Sequence, residues 1–217
     1  SLYSNIGGAE NTTTGFASLY SNTTGQRNSA YGNWSLYKNT TGDYNTAVGS
    51  YSSWANETGD DNTALGYTSL QSNTGSSNIG LGKGAGYVIT SGSNNTIIGT
   101  DADPSSATAN NQTVLGYNVT GQANNSVTLG NADVTAVYMA QDSGATVHCG
   151  GLNIGGTAVT SSAAELNLLS GVTSLESGAT SLNGLSAVSY THLRAHETHE
   201  HVVWPGRGSK KTRGGGG

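Results

Sequence analysis

The chain has 217 residues, 34% hydrophobic and 10% charged, with 33 glycines, 2 prolines, one cysteine and a formal net charge of −5. So few Leu, Ile, Val and Phe residues exclude an ordinary globular core, and a lone Cys149 excludes an intramolecular disulfide. With no long apolar run and no basic excess, neither a membrane-inserted segment nor a nucleic-acid partner is expected.

Disorder suits such a composition, but it gives no reason for apolar residues to return at fixed intervals, and here they return. The chain opens on "SLYSN", which recurs at 18 and as "SLYKN" at 35. There is no initiator Met, so an internal piece of a longer protein, starting inside a repeat, is expected. The strings "NTAVG" at 45, "NTALG" at 62, "NIGLG" at 78, "NTIIG" at 95 and "QTVLG" at 112 are copies of one unit. "NTTTG" at 11, "NSAYG" at 28 and "NSVTLG" at 125 are looser copies. Their closing glycines are Gly15, Gly32, Gly49, Gly66, Gly82, Gly99, Gly116 and Gly130, spaced 17, 17, 17, 16, 17, 17 and 14.

Such a unit is too short for two helices, and its ends carry the turn formers Gly, Asn, Ser and Thr. Short strands are what remains. The glycines fit turns with positive φ, and the Asn positions fit turn chemistry or stacked amide ladders. The residues before the glycines include Val48, Leu65, Leu81, Ile98, Leu115 and Leu129, which predicts an inward core stack. A second column of Leu2, Leu19, Leu36 and Leu70, broken by Ser53, predicts a second short strand in each coil. Burying two or three aliphatic side chains at roughly 1.5–3 kcal/mol each cannot offset about 1–2 kcal/mol of ordering per residue over one coil. A lone coil cannot fold, so coils must stack as parallel ladders about 4.8 Å apart. The predicted class is all-β, a parallel β-roll or β-solenoid of about eight coils over residues 1–130.

Several motifs inside the repeats invite sharper readings. Tyr3, Tyr20, Tyr37 and Trp54 stand seventeen apart beside the Leu column, so alternation points them outward as a ladder. Such a stripe fits packing between protomers, or stacking on sugar rings. "GLGKGAG", Gly80 to Gly86, has the glycines of a phosphate loop, but no Ser or Thr follows Lys83 and Gly82 belongs to the repeat. "GDDN" at 59 resembles a calcium turn, yet its equivalents "GDYN" and "GSSN" do not repeat the carboxylates. The sequons at Asn22, Asn39 and Asn56 recur because the repeat contains them. Thr24, Thr41 and Thr58 align as a short row, which admits an ice-binding solenoid as a minor reading. No catalytic constellation is legible and no cofactor is expected; an enzyme is not the reading.

The "NSVTLG" copy with its 14-residue spacing, with "NTAVG" and "NTALG", resembles the left-handed parallel β-roll of YadA-type trimeric adhesin heads. The longer units, as in "SLYSNTTGQRNSAYGNWSLYKNTTGDYNTAVG", resemble repeats of phage tail fibres. This resemblance covers residues 1 to about 130. It implies a homotrimeric fibre module, a spacer or an element binding a host glycan or protein receptor, on a virion tail or cell surface. The alternative it implies is the head of a bacterial trimeric surface adhesin.

From 131 to 160 the period stops, and a β connector is expected: "DVTAVYM" alternates like a half-buried strand, "QDSG" reads as a turn, and "ATVHCGGLNIGGTAV" as short strands broken by glycine. In 161–187, Ser162 stands three before Glu165 ahead of Leu166, Leu168 and Leu169, a capping box that predicts a short helix ending at Gly171. Thr173 and Glu176 repeat it. With Leu175, Leu182 and Leu185, these leucines are expected to bury against other copies of the chain. "AVTSSAAELNLLSGVTS" also resembles a shaft element of marine phage fibres. Residues 188–217 change character: residues 1–187 carry eleven acidic and three basic side chains, a formal charge of −8, whereas five of the eight basic residues and four of the five histidines follow. His192, His196, His199 and His201 look like a metal cluster, but "VSYTHLRAHET" resembles a translated sequencing adapter. This tail is therefore expected to lie outside the native fold.

Overall fold

The computed structural model describes residues 1–141, 144 and 146–160. They belong to two units, Ser1–Thr146 and a second beginning at Val147. The first is a parallel β-solenoid. Strands β1 (Thr12–Thr14), β2 (Ser29–Tyr31), β3 (Thr46–Val48), β4 (Thr63–Leu65), β5 (Ile79–Leu81), β6 (Thr96–Ile98), β7 (Gln112–Leu115) and β8 (Ser126–Leu129) form one eight-stranded sheet in chain order. All seven pairings are parallel and each keeps the repeat in register, Thr46 on Thr63 and Val48 on Leu65, for example. No helix occurs among the described residues.

The orientation of the strands corrects the expected core. Val48, Leu65, Leu81, Ile98, Leu115 and Leu129 do form one in-register column. It lies on the outer face: Leu65 and Leu115 are 44% exposed, Leu81 40% and Leu129 43%. Successive side chains of a strand point to opposite faces, and in strands this short only the middle residue can point inward while both flanking residues point out. The inward column is therefore Ala30, Ala47, Ala64, Gly80, Ile97 and Val114, all buried. In the coils of β2 and β4 a small residue on the strand is matched by a large one on the turn.

The large one is the Leu column. Leu19, Leu36 and Leu70 are fully buried and cluster with the strand alanines, Leu2 packing against them. They do not sit on a second strand. Leu19, Leu36, Ser53 and Leu70 have φ between 47° and 50°, the left-handed region, within the arc that follows each repeat glycine. That conformation costs a non-Gly residue about 1–2 kcal/mol, and full burial of a Leu gives back roughly 1.5–3 kcal/mol. Burial wins. Ser53 has the same backbone without that return, and its buried hydroxyl has no hydrogen-bond partner.

The repeat glycines have the expected positive φ, 129° to 142° from Gly15 to Gly116. Close approach adds a second requirement: a Cβ on Gly49 would lie 2.5 Å from the carbonyl oxygen of Gly66 in the next coil.

Two amide ladders hold the coils at this distance. In the first, each Asn before a strand accepts, through Oδ1, the backbone N–H of its equivalent in the next coil. It runs Asn11, Asn28, Asn45, Asn62, Asn78, Asn95 to Gln112 at 2.9–3.1 Å. The Nδ2 of Asn45 meanwhile donates to the Gly59 carbonyl at 2.8 Å. Both halves of a buried amide are thereby satisfied, which is the condition for its burial. The second ladder passes through Asn5, Asn22, Asn39 and Asn56. It breaks at Asn73, which bonds Asn62 instead. The 16-residue coil lies here, its missing residue taken from the Asn-to-Gly turn, and Asn56 Oδ1 is left buried without a partner.

In the second unit, β9 (Leu152–Ile154) and β10 (Thr157–Val159) form an antiparallel hairpin. Its two-residue loop is Gly155 and Gly156, both at positive φ, the requirement of a type I′ turn. The strand expected over "DVTAVYM" does not form: Val134, Val137, Tyr138 and Met139 are exposed and no neighbouring strand is paired there. Part of "QDSG", the helices expected in 161–187 and the tail 188–217 with its histidines lie outside the described residues.

Candidate functional site

The solenoid presents two candidate interaction surfaces. The first is the aromatic column. Tyr3, Tyr20, Tyr37 and Trp54 follow the Leu column by one residue and stack on one another, with centroids 4.9, 5.5 and 6.2 Å apart and ring planes within 1°, 19° and 5° of parallel. Lys38 Nζ lies 4.3 Å from the Trp54 ring centre, a cation–π contact. Tyr3 at the end is 76% exposed, whereas Tyr20, Tyr37 and Trp54 are half-buried. Because each ring covers the face of the next, the column offers solvent mainly ring edges, and sugar rings pack on faces.

A second aromatic cluster escaped the sequence reading. Trp34 lies 5.8 Å from Tyr37 and meets Tyr51 at 5.1 Å with planes at 70°; Tyr51 meets Tyr67 at 6.5 Å and 82°. Crossed rings leave more face uncovered than a parallel stack. The signal was half there, since Trp34 and Tyr51 are seventeen apart, but Tyr67 is off the period by one.

The second surface is the outer face of the sheet. One column holds Tyr31, Val48, Leu65, Leu81, Ile98, Leu115 and Leu129, and its companion holds Ser29, Thr46, Thr63, Ile79, Thr96, Thr113 and Val127. No charged residue occurs in either. Ile79 is 40% and Val127 65% exposed. Contiguous apolar exposure of this kind, as distinct from scattered single residues, marks interaction surfaces.

The other sequence motifs resolve into structural tasks. In "GLGKGAG" the N–H groups of Gly82, Gly84 and Gly86 donate to the carbonyls of Leu65, Tyr67 and Ala102, so they do not surround an anion. Gly80 makes room for Leu70, whose Cγ would lie 2.7 Å from a Cβ there. Lys83 pairs with Asp101 at 3.3 Å. The first carboxylate of "GDYN" and of "GDDN" is an acceptor: Asp43 takes the N–H of Gln26 at 2.6 Å and Asp60 that of Asp43 at 2.8 Å, a duty passed to Ser76 and Ser93 in later coils. Among the described residues no group of three His, Cys, Asp or Glu could hold a metal ion, and no helix is long and apolar enough to cross a membrane. Asp103 stands where earlier coils have Leu; burial raises its carboxyl pKa above the ordinary value, and the Val88 N–H at 3.1 Å works against that. Asn22, Asn39 and Asn56 are fully buried, while Thr24, Thr41 and Thr58 are exposed.

The fold and these surfaces define a β-solenoid repeat protein. Comparisons with protein-family models, curated proteins and solved structures return no match.

Proposed function

We propose that the chain is a structural module of a homo-oligomeric fibre: a spacer or receptor-contacting part of a phage tail fibre, three copies meeting through the aliphatic face of the sheet. The observation that supports this most is that face. It is an uncharged column from Tyr31 to Leu129 on the order of 30 Å long at the strand spacing, on a sheet held by backbone and amide ladders. A chain this acidic repels its own copies wherever carboxylates meet, and this face carries none. Only a partner with the same axial pitch can match every side chain of the column, and another copy of the chain has that pitch by construction. In a closed threefold arrangement the three faces converge on the axis, and no adhesive edge remains to grow into an open filament. The aromatic stack, its faces already occupied, serves this role less well. A host glycan or protein is the proposed outer partner, and the Trp34–Tyr51–Tyr67 cluster is the aromatic surface with more face to offer.

Sedimentation equilibrium of the full chain tests the assembly. A trimer is expected at micromolar concentration, and Leu81→Asp should yield monomers that keep the β circular dichroism of the wild type. A wild-type monomer under the same conditions would overturn the reading.

A further inference from the structure

The sequon asparagines are the same residues that build the second amide ladder. Asn22 Nδ2 donates to Asn5 Oδ1 at 2.8 Å and to the Gly25 carbonyl at 2.9 Å. Asn39 Nδ2 donates to Asn22 Oδ1 at 2.8 Å and to the Gly42 carbonyl at 3.0 Å. Asn56 Nδ2 donates to Asn39 Oδ1 at 3.0 Å and to the Gly59 carbonyl at 2.9 Å. Each nitrogen has two hydrogens and both are used: one closes its own turn, the other reaches the previous coil.

We infer that attachment of Asn-linked glycans at Asn22, Asn39 and Asn56 and folding of the solenoid are mutually exclusive, so that this chain folds only where the modification does not occur. Transfer from a lipid-linked oligosaccharide forms an Nδ2–C1 bond, breaks the C1–O bond to the pyrophosphate leaving group and removes one Nδ2 proton. One of the two donors is thereby lost in the interior, where an unsatisfied partner costs about 1–3 kcal/mol. The space is the larger obstacle. All three side chains are fully buried. A single methyl on Gly25, Gly42 or Gly59 would already lie 2.4–2.5 Å from the Oδ1 of the Asn three residues before it. A sugar ring fits only if neighbouring coils separate, and a separated coil has no stability of its own.

The transferase acts on the extended chain, before any of this burial exists, and Asn-x-Thr is its acceptor. In a compartment that holds the enzyme, modification therefore precedes folding and blocks it. In the bacterial cytosol the same residues become ladder rungs. The inference rests on the burial of three side chains and is independent of the oligomer and of any receptor.

The test is expression of the full chain behind a eukaryotic secretion signal, beside a triple variant, Thr24→Ala, Thr41→Ala and Thr58→Ala. The variant destroys the three sequons but keeps every ladder Asn, and the replaced threonines are exposed. It should be secreted in folded form at least several-fold better than wild type, while both accumulate equally in bacterial cytosol. Site occupancy is read by mass spectrometry after enzymatic deglycosylation. The retained wild-type pool should carry glycan at Asn22, Asn39 and Asn56; any folded secreted wild type should carry it only at exposed sequons such as Asn33, Asn94 and Asn118. Equal secretion of the two chains, or a folded secreted protein glycosylated at any of the three buried positions, would overturn the inference.

Discussion

The early coils and the late coils enclose their interiors with different distributions of bulk. In the coils of β2 and β4 the strand supplies Ala and the turn supplies Leu, Ala30 with Leu36 and Ala64 with Leu70, while the β3 coil between them pairs Ala47 with Ser53. From β6 the strand supplies Ile97 or Val114 and the turn Ala102 or Val119. The changeover is at β5, where Gly80 and Gly86 both yield to Leu70 and Ile89 fills the turn. Interiors are packed to nearly constant density, so bulk withdrawn from one wall is returned on the other in these coils, and the Ala47–Ser53 coil is the exception. The backbone spacing shows no such variation. The repeat glycine contacts its successor in both halves, and its requirement is independent of the filling.

The largest effects should therefore be shared by the two regions. Gly49→Ala in the early coils and Gly99→Ala in the late ones each combine positive φ with a Cβ driven into the next glycine's carbonyl. Backbone strain and overpacking at about 1–3 kcal/mol each predict a loss of roughly 3–5 kcal/mol in denaturant unfolding for either. A large loss in one and none in the other would break the idea of a common backbone contact. Next in size is Ser53→Leu. It restores the bulk that its coil lacks beside Ala47, removes a buried unpartnered hydroxyl, and should stabilise by about 1–3 kcal/mol; a destabilised variant would mean that the neighbours have already taken up the volume. The smallest effect belongs to the late coils. Burial raises the folded pKa of Asp103, so the native state holds its proton more tightly than the unfolded chain and stability falls as pH rises through the carboxylate range above about 4. Asp103→Asn should flatten that slope in pH-dependent melting, with little change below it.

Much of the architecture could be read from residue spacing, and the errors are informative. The glycines at intervals of 16 and 17 residues identified the coil and the positive-φ position, and the in-register column Val48 to Leu129 was found as a column. Its direction is not legible in the sequence, because hydrophobicity alone does not fix burial. The "TAV" and "TAL" strands place one side chain inward, and local sequence cannot say which, since Ala and Leu are both apolar. The Leu column is legible as an inward column but its backbone is not: nothing in "SLYS" announces left-handed leucines, because the burial that compensates them comes from the strand across the coil.

The sequence by itself determined the period, and with it a parallel stack of short strands, because side chains recurring at one interval can leave water together only when coils are piled in register. Which face of the sheet is inside, where each coil puts its bulk, and that the sequon asparagines are interior rungs were decided only by the tertiary structure. Those outcomes depend on the distance between two walls of a coil and on atoms seventeen residues away, neither of which any local stretch of chain contains.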